Sequence, residues 1–273
     1  MKLLVQGDDY GFTKGVTYGI LDAIDNGVLR NTGMFPNMPI APWAAELWKA
    51  KERPQACLGI DFNIVSGPST AAPKSVPSLV DDKGEFIRSG ARLKDPRFQT
   101  EEGRREMFPY EEVYREIRAQ YDRFVALIGR KPGYLHGHSL GHEHYNEAIH
   151  QVSREEGVPY SMDIQRKYGF SSLFQKLPGG GMPKDPAKNK KVFDPMEQLN
   201  KDPLANFMKY ADEFLREAYV MFGGHPGFVD AELMGLTTLS LERMRDHEAV
   251  TSPALKQWVE DNGVELITYY DLA

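Results

Sequence analysis

Carboxylates and a histidine lie where several apolar runs of the sequence end. Asp8 and Asp9 follow the apolar run 2–6, Asp61 lies near the end of 56–62, and His225 follows 218–222. In parallel α/β folds ligands bind at the carboxyl ends of strands, so these side chains are expected at one site. Of the adjacent pair, one carboxylate can bind a metal while the other accepts a proton from a water. The pattern therefore predicts metal-assisted hydrolysis. The alternative is that Asp8 and Asp9 are turn or helix-entry residues and that Asp61 is a strand-end or loop carboxylate without a catalytic role.

A histidine cluster follows a further apolar run. Four of the seven histidines fall within the nine residues from His136 to His144. Imidazole is the commonest protein ligand for transition metals, so this cluster, which includes His138, is a candidate source of a metal ligand. The roles of His136, His142 and His144 stay open, because a catalytic metal keeps one position for water or substrate.

Two further residues complete the candidate site. His225 follows two glycines and precedes Pro226-Gly227, and an imidazole in such a position is suited to protonate a leaving group as a general acid. The alternative is a histidine that satisfies loop backbone groups. Arg245 is a candidate for orienting Asp8 or His225, with a surface ion pair as the alternative. The sequence has no GxSxG, GxxxxGK[ST] or HExxH motif.

Short β-type runs alternate with helix-type segments along the chain, which predicts an α/β fold with a parallel sheet. The seven runs are 2–6, 31–35, 56–62, 133–135, 158–162, 218–222 and 264–268. We treat 1–273 as a single domain, with long irregular segments at 66–109 and 176–201 as functional loops. The lysines of the second segment are either solvated or in contact with a sugar or phosphate.

The composition limits the partners. The 273 residues include 41% hydrophobic side chains and carry a formal charge of -6, which argues against nucleic acid and anionic membranes. The first residues are too polar for a secretory signal, so we expect a cytoplasmic protein. A small-molecule partner fits best, and a homodimer is left open.

Several motifs, in this order, resemble those of the YdjC-like carbohydrate deacetylases. Asp8-Asp9-Tyr10-Gly11 resembles the DDFG signature, and 77–86 resembles the "PSLVD..G.F" loop. His225-Pro226-Gly227 with Asp230 resembles the HPG segment, and Arg245 with Glu248 resembles the R..E element. The resemblance runs through almost the whole chain.

The resemblance implies a distorted TIM-barrel-like (β/α) barrel and metal-dependent removal of an N-acetyl group from a small carbohydrate. By position it implies Asp9 and His138 as metal ligands, Asp8 as general base and His225 as general acid. The family usually has G-[ILV]-H at the second ligand, where this chain has Gly59-Ile60-Asp61. An Asp9, Asp61 and His138 set would favour Mg²⁺, with Mn²⁺ or Zn²⁺ as alternatives.

Two other functions remain open at this point. One is a metal-dependent hydrolase of phosphorylated disaccharides, in which the lysines of 176–201 meet the phosphate. The other is a non-catalytic sugar-binding protein on the same scaffold. The altered second ligand, and the replacement of the family's DSH..VH stretch by residues 136–142, would explain it. Metal content and acetate release separate these functions.

Overall fold

The computed structural model describes residues 1–176 and 194–272. Its centre is a parallel sheet whose strands follow the order β4-β3-β2-β1-β6-β5. β1 pairs with β7 through Lys2 to Leu4 and with β2 from Gln6 onward. The strands are β1 Lys2–Tyr10, β2 Asn31–Met34, β3 Cys57–Phe62, β4 Leu135–Gly137, β5 Ser171–Ser172, β6 Tyr219–Gly224 and β7 Glu265–Ile267.

Thirteen α-helices in the described ranges connect and cover these strands. They are α1 Lys14–Asn26, α2 Ala41–Lys49, α3 Ser89–Lys94, α4 Glu101–Met107, α5 Tyr110–Ile128, α6 Glu143–Glu156, α7 Ser161–Tyr168, α8 Leu173–Lys176, α9 Pro203–Lys209, α10 Ala211–Phe214, α11 Ala231–Leu236, α12 Glu242–Thr251 and α13 Pro253–Asp261. Short 3₁₀ helices cover Pro73–Ser75, Pro96–Gln99, Pro195–Asn200 and Tyr269–Asp271. The sheet curls into a half-barrel, which confirms the predicted distorted (β/α) barrel.

Helix α5 shows how the sequence pattern produces this fold. Val113, Ile117 and Phe124 recur at helical spacing and are buried in the main hydrophobic core. The helix ends at Gly129, whose φ of 82° lies in the left-handed region that glycine adopts without a steric penalty. Burial of this apolar face attaches α5 to the sheet.

The strand predicted at 158–162 is wrong. Tyr160 makes only an isolated bridge with Leu135, and α7 begins at Ser161. The run Val158, Pro159 and Tyr160 is too short to continue as a ladder, and its apolar side chains pack into the core as a connection instead.

The two predicted loops have different outcomes. The 66–109 segment contains α3, α4 and two 3₁₀ helices, and the buried carboxylate of Glu116 on α5 accepts the backbone N–H groups of Thr70 and Ala71. This anchoring holds the segment over the carboxyl ends of the strands. Most of the 176–201 segment lies outside the described residues, which resume at Asp194. No described helix combines the length and apolarity that crossing a bilayer requires.

Candidate metal centre and acid–base site

A cavity of about 870 Å³ opens at the carboxyl ends of the central strands. Strand ends supply one side, while the 66–109 segment, α12 and the connection before it supply the other. Among its lining residues are Asp8, Asp9, Arg88, Lys94, His136, His138, His225 and Arg243. Asp61 lies fully buried beneath this surface, where its carboxylate contacts the backbone of Asp9.

Asp8 presents one carboxylate oxygen to a protein donor and the other to the cavity. The buried Gln6 amide donates to Asp8 Oδ1 at 2.7 Å. Asp8 Oδ2 lies 3.8 Å from Nε2 of His136. Gln6 and Asp8 are two residues apart on β1 and so point to the same face of the sheet.

Asp61 on β3 is held in the same manner. Its Oδ2 accepts the backbone N–H of Asp9 at 2.9 Å, whereas its buried Oδ1 has no hydrogen-bond partner among the described residues. A Cβ at Gly33 on β2 would lie 1.9 Å from Oδ1, so glycine makes room for the carboxylate. Burial, followed by the charges of Asp8 and Asp9, raises the pKa of Asp61 well above its usual range.

His136 on β4 completes a three-residue group. Its Nδ1 lies 2.6 Å from Oγ of Ser161, which leaves Nε2 toward Asp8. Burial lowers the pKa of His136, so the ring stays neutral, as a metal ligand must. One ligand atom each from Asp8, Asp61 and His136 lies within 4.8 Å of the other two.

This group fits a divalent cation on the chemistry of its donors. Each ligand has one polar atom held by the protein and a second atom free to coordinate, which is the usual arrangement around a metal. The unpartnered Oδ1 of Asp61 is the strongest sign, because a buried carboxylate oxygen without a partner is costly. A cation would compensate both carboxylates.

Asp9 has different surroundings from its neighbour. Its Oδ2 accepts from the buried Arg243 guanidinium at 2.5 Å, and its Oδ1 lies 3.0 Å from Nδ1 of His138. Burial alone would raise the pKa of Asp9, but Arg243, then His138 and His225, hold it well below its ordinary value. Asp9 is therefore a compensated, ionised carboxylate.

The backbone explains why adjacent acids reach the same cavity. The β1 ladder shifts register between Gly7 and Tyr10, and Asp9 has a φ of 78°. Consecutive residues of a regular strand point to opposite faces, and this irregularity redirects the second acid. The positive φ costs energy for a non-glycine residue, and the ion pair with Arg243 offsets it.

His225 directly follows β6, whose Gly224 pairs with Gly7 of the neighbouring strand β1. Its backbone N–H donates to Oδ2 of Asp246 on α12 at 2.9 Å, and Lys201 Nζ lies 2.9 Å from the other oxygen. A Cβ at Gly224 would lie 3.1 Å from Cγ of Asp246, so glycine permits this close approach. The loop that carries His225 is thus fastened to α12.

The structure gathers most of the residues that the sequence selected. Asp8, Asp9, His138 and His225 line the cavity, and Asp61 lies directly beneath it. The group within ligating distance differs from the predicted set of Asp9, Asp61 and His138, since Asp8 and His136 take the places of Asp9 and His138. Arg245 does not line the cavity; its guanidinium contacts Lys201 O and Glu248.

Three residues of the site were not predicted from the sequence. The role of His136 stayed open, and neither Arg243 nor Asp246 was selected. Residues 243, 246 and 250 follow helical spacing, and in the structure all three are buried. This spacing alone could have indicated that Arg243 and Asp246 lie on the buried face of α12, where each needs a partner of opposite charge.

The other two histidines of the cluster serve the scaffold. His142 Nδ1 accepts the backbone N–H of Tyr145 at the start of α6, and its ring stacks on Phe108. His144 Nδ1 lies 2.9 Å from the carbonyl oxygen of Phe108. Both fix the 66–109 segment against α6.

The fold and site together define a (β/α)-barrel protein with a candidate metal centre at the carboxyl ends of its strands. Residues 2–261 match the model of the family described as YdjC-like protein. The chain belongs to the YdjC-like family, which confirms the resemblance of its motifs.

Named relatives match over their full length. The chain is 30% identical to Carbohydrate deacetylase 2 of Listeria innocua, covering 100% of this chain and 99% of the relative. It is 31% identical to a chitooligosaccharide deacetylase of Klebsiella pneumoniae, covering 99% and 98%. A crystal structure from Enterococcus faecalis, of a suggested cellobiose-phosphate cleavage protein, superposes with a TM-score of 0.75 at 22% identity over 100% and 98% of the two chains. This last likeness supports the fold.

Proposed function

We propose that this protein is a metal-dependent carbohydrate deacetylase that hydrolyses an N-acetyl group on a small sugar or oligosaccharide. The observation that carries the proposal is the cluster of Asp8, Asp61 and His136 beside an ionised Asp9 in one cavity. Family membership and the names of the full-length relatives support the substrate class.

We assign the metal to Asp8, Asp61 and His136, and the acid–base work to Asp9 and His225. When bound, a divalent cation acts as a Lewis acid and lowers the pKa of a water. Two carboxylates and one imidazole favour Mg²⁺, with Mn²⁺ or Zn²⁺ as alternatives. This assignment exchanges the roles that the resemblance implied for Asp8 and Asp9.

The chain's own residues then move the protons. Asp9, kept ionised by Arg243, accepts the proton of the attacking water through a carboxylate oxygen. His138, next to Asp9, stabilises that carboxylate. His225, which lines the cavity after β6, protonates the departing sugar amine. The C–N bond of the amide breaks, and acetate and the free amine leave.

Acetate release tests this function directly. Metal-stripped protein should release no acetate from N-acetylglucosamine or its β-1,4-linked dimer and trimer, and adding Mg²⁺, Mn²⁺ or Zn²⁺ in turn should restore the activity. Acetate release that survives exhaustive chelation refutes the mechanism. A protein that holds no stoichiometric metal and releases no acetate from any N-acetylated sugar supports the sugar-binding alternative instead.

A phosphorylated sugar is a second candidate substrate, on the evidence of two cationic side chains. Arg88 and Lys94 line the cavity on the 66–109 segment, away from the strand ends. A phosphate on a second sugar would find paired donors there. The name of the Enterococcus faecalis protein, suggested to cleave cellobiose-phosphate, points the same way. Comparing acetate release and sugar-phosphate cleavage for matched phosphorylated and unphosphorylated disaccharides separates the two.

A further inference from the structure

A line of hydrogen-bonded polar side chains, with its middle members buried, runs beneath the candidate metal centre. Gln165 Nε2 on α7 donates to the hydroxyl of Tyr269 at 3.0 Å. The Tyr269 hydroxyl donates to Gln6 Oε1 at 2.7 Å, and Gln6 Nε2 donates to Asp8 Oδ1 at 2.7 Å. Tyr269 and Gln6 are buried, at 0% and 1% exposure, so water does not replace these bonds.

The donors fix the direction of this line. An amide nitrogen can only donate, so Gln165 uses an acceptor lone pair of the Tyr269 oxygen, and the hydroxyl proton is left for Gln6. A Gln6 oxygen that accepts from Tyr269 turns its own amide nitrogen toward Asp8. Burial raises the pKa of Tyr269, which keeps its proton available.

The consequence reaches Asp8. With Oδ1 bound to Gln6, the carboxylate cannot rotate freely, and Oδ2 stays on the side of His136, 3.8 Å from its Nε2. A reversed Gln6 amide would place an oxygen against Asp8 and repel the carboxylate. The orientation of the Asp8 carboxylate therefore depends on the hydroxyl of Tyr269, a residue that is distant in sequence.

A neighbouring tyrosine shows that this pairing is not a general demand of the core. The Tyr134 ring centroid lies 4.1 Å from that of Tyr269, and its buried hydroxyl has no hydrogen-bond partner among the described residues. The same interior thus accommodates one unpaired phenol and holds the other by two bonds.

We infer that Gln6 is a positioning residue for Asp8, and that Gln165 and Tyr269 set the direction of its amide and thereby the metal affinity of the site. The inference rests on the proposed metal centre of Asp8, Asp61 and His136. It adds residues from β1, α7 and the 3₁₀ helix Tyr269–Asp271 to the determinants of that centre.

Calorimetric titration of the metal-stripped full chain with Mn²⁺ tests this order. Gln6→Met should weaken Mn²⁺ binding about 10- to 100-fold, the usual effect of losing a partner of a metal ligand. Tyr269→Phe should weaken it less, because the Gln6 amide is then free to turn but still occupies its place. Gln165→Met should have the smallest effect, and Tyr134→Phe should bind as the wild type does.

Thermal unfolding of each metal-free variant separates positioning from general loosening. Tyr269→Phe and Tyr134→Phe remove the same atom from adjacent rings, so comparable melting temperatures with different Mn²⁺ affinities support the inference. If Gln6→Met does not fold, that pair of tyrosine variants decides alone. Equal Mn²⁺ affinity of Tyr269→Phe, Tyr134→Phe and wild type overturns the inference, while loss of binding in Asp8→Asn still supports the metal centre. A wild-type chain that binds no Mn²⁺ overturns the proposed function together with the inference.

Discussion

The strand wall of the cavity and its helix wall hold their charges in opposite ways. The strand wall consists of Asp8 and His136, with Asp61 beneath them. The helix wall consists of Arg243 on α12, with Asp246 of the same helix behind the cavity surface. Within the described residues, the hydrogen-bond donors to Asp8 and Asp61 are neutral, namely the Gln6 amide and a backbone N–H. The two carboxylates of the strand wall therefore have no cationic hydrogen-bond donor among the residues that the structure describes.

Asp9 and Asp246, by contrast, each have a cationic partner. Arg243 contacts Asp9, and Lys201 contacts Asp246. The two acids of β1 thus differ in what they can do, although they are adjacent. A carboxylate without a cationic partner, beside another carboxylate, gains most from a divalent cation, whereas the charge of one held ionised by a guanidinium is already compensated.

The largest expected effect comes from exchanging each acid of β1 for its amide. Asp8→Asn should lose both stoichiometric metal and activity. Asp9→Asn should keep the metal, while kcat falls about 10²- to 10⁴-fold because the proton acceptor is gone. Metal analysis after dialysis and acetate-release kinetics measure both. The reverse outcome, with metal retained only in Asp8→Asn, would restore the roles that the family motifs implied.

Removing the cation of the helix wall should be nearly as severe. Arg243→Met leaves Asp9 as a buried unpaired charge, a change that costs about 3–5 kcal/mol of unfolding free energy. Without Arg243, burial raises the pKa of Asp9, so the acid limb of the kcat/KM profile should move to higher pH.

The pH dependence of stability gives the sign of this effect. In the wild type the lowered pKa of Asp9 stabilises the fold above about pH 4, the unfolded value, and this contribution disappears as pH falls through the folded pKa. In Arg243→Met the raised pKa reverses the slope for this group, so the deficit should shrink on acidification as Asp9 is protonated. Denaturant unfolding at several pH values measures the difference, and a deficit independent of pH would contradict the ion pair.

Apolar runs in the sequence were sufficient to predict the strand ends and therefore the neighbourhood of Asp8, Asp61 and His225. Parallel strands in a barrel end on one side, so acids that follow such runs must meet. The alternation of these runs with helix-type segments predicted the parallel α/β fold. Neither inference needed the direction of any side chain.

The direction of side chains is what the sequence pattern could not provide. The register shift in β1 and the positive φ of Asp9 give Asp8 and Asp9 different partners. Neither feature is indicated by the residue types at these positions. Arg243 and Asp246 occupy the inner face of α12, where an apolar residue is the ordinary expectation. Ion pairing between distant elements replaced the hydrophobic signal there.

A smaller effect is expected from filling the space beside Asp61 in the strand wall. In Gly33→Ala the new Cβ would fall 1.9 Å from Asp61 Oδ1, so the carboxylate or the strand must move. We expect about 1–3 kcal/mol of destabilisation, typical of overpacking, together with weaker metal binding. Gly141→Ala is the control, since a Cβ there meets nothing within 4 Å. Mn²⁺ affinity unchanged in Gly33→Ala would remove Asp61 from the ligand set.

The smallest effect compares two neighbouring residues of α12. Asp246→Asn keeps an acceptor for the His225 backbone N–H but loses the charge that holds Lys201, so the loop should loosen by about 1 kcal/mol, seen as a several-fold lower kcat with metal content unchanged. Arg245→Gln, which breaks contacts only with Lys201 O and Glu248 outside the cavity, should leave kcat within about twofold, because exposed ion pairs contribute little. Steady-state acetate release separates the two variants. If Arg245→Gln instead lowers kcat more than Asp246→Asn does, Arg245 orients Asp8 or His225, as predicted from the sequence. In that case α12 influences catalysis through a residue that does not line the cavity.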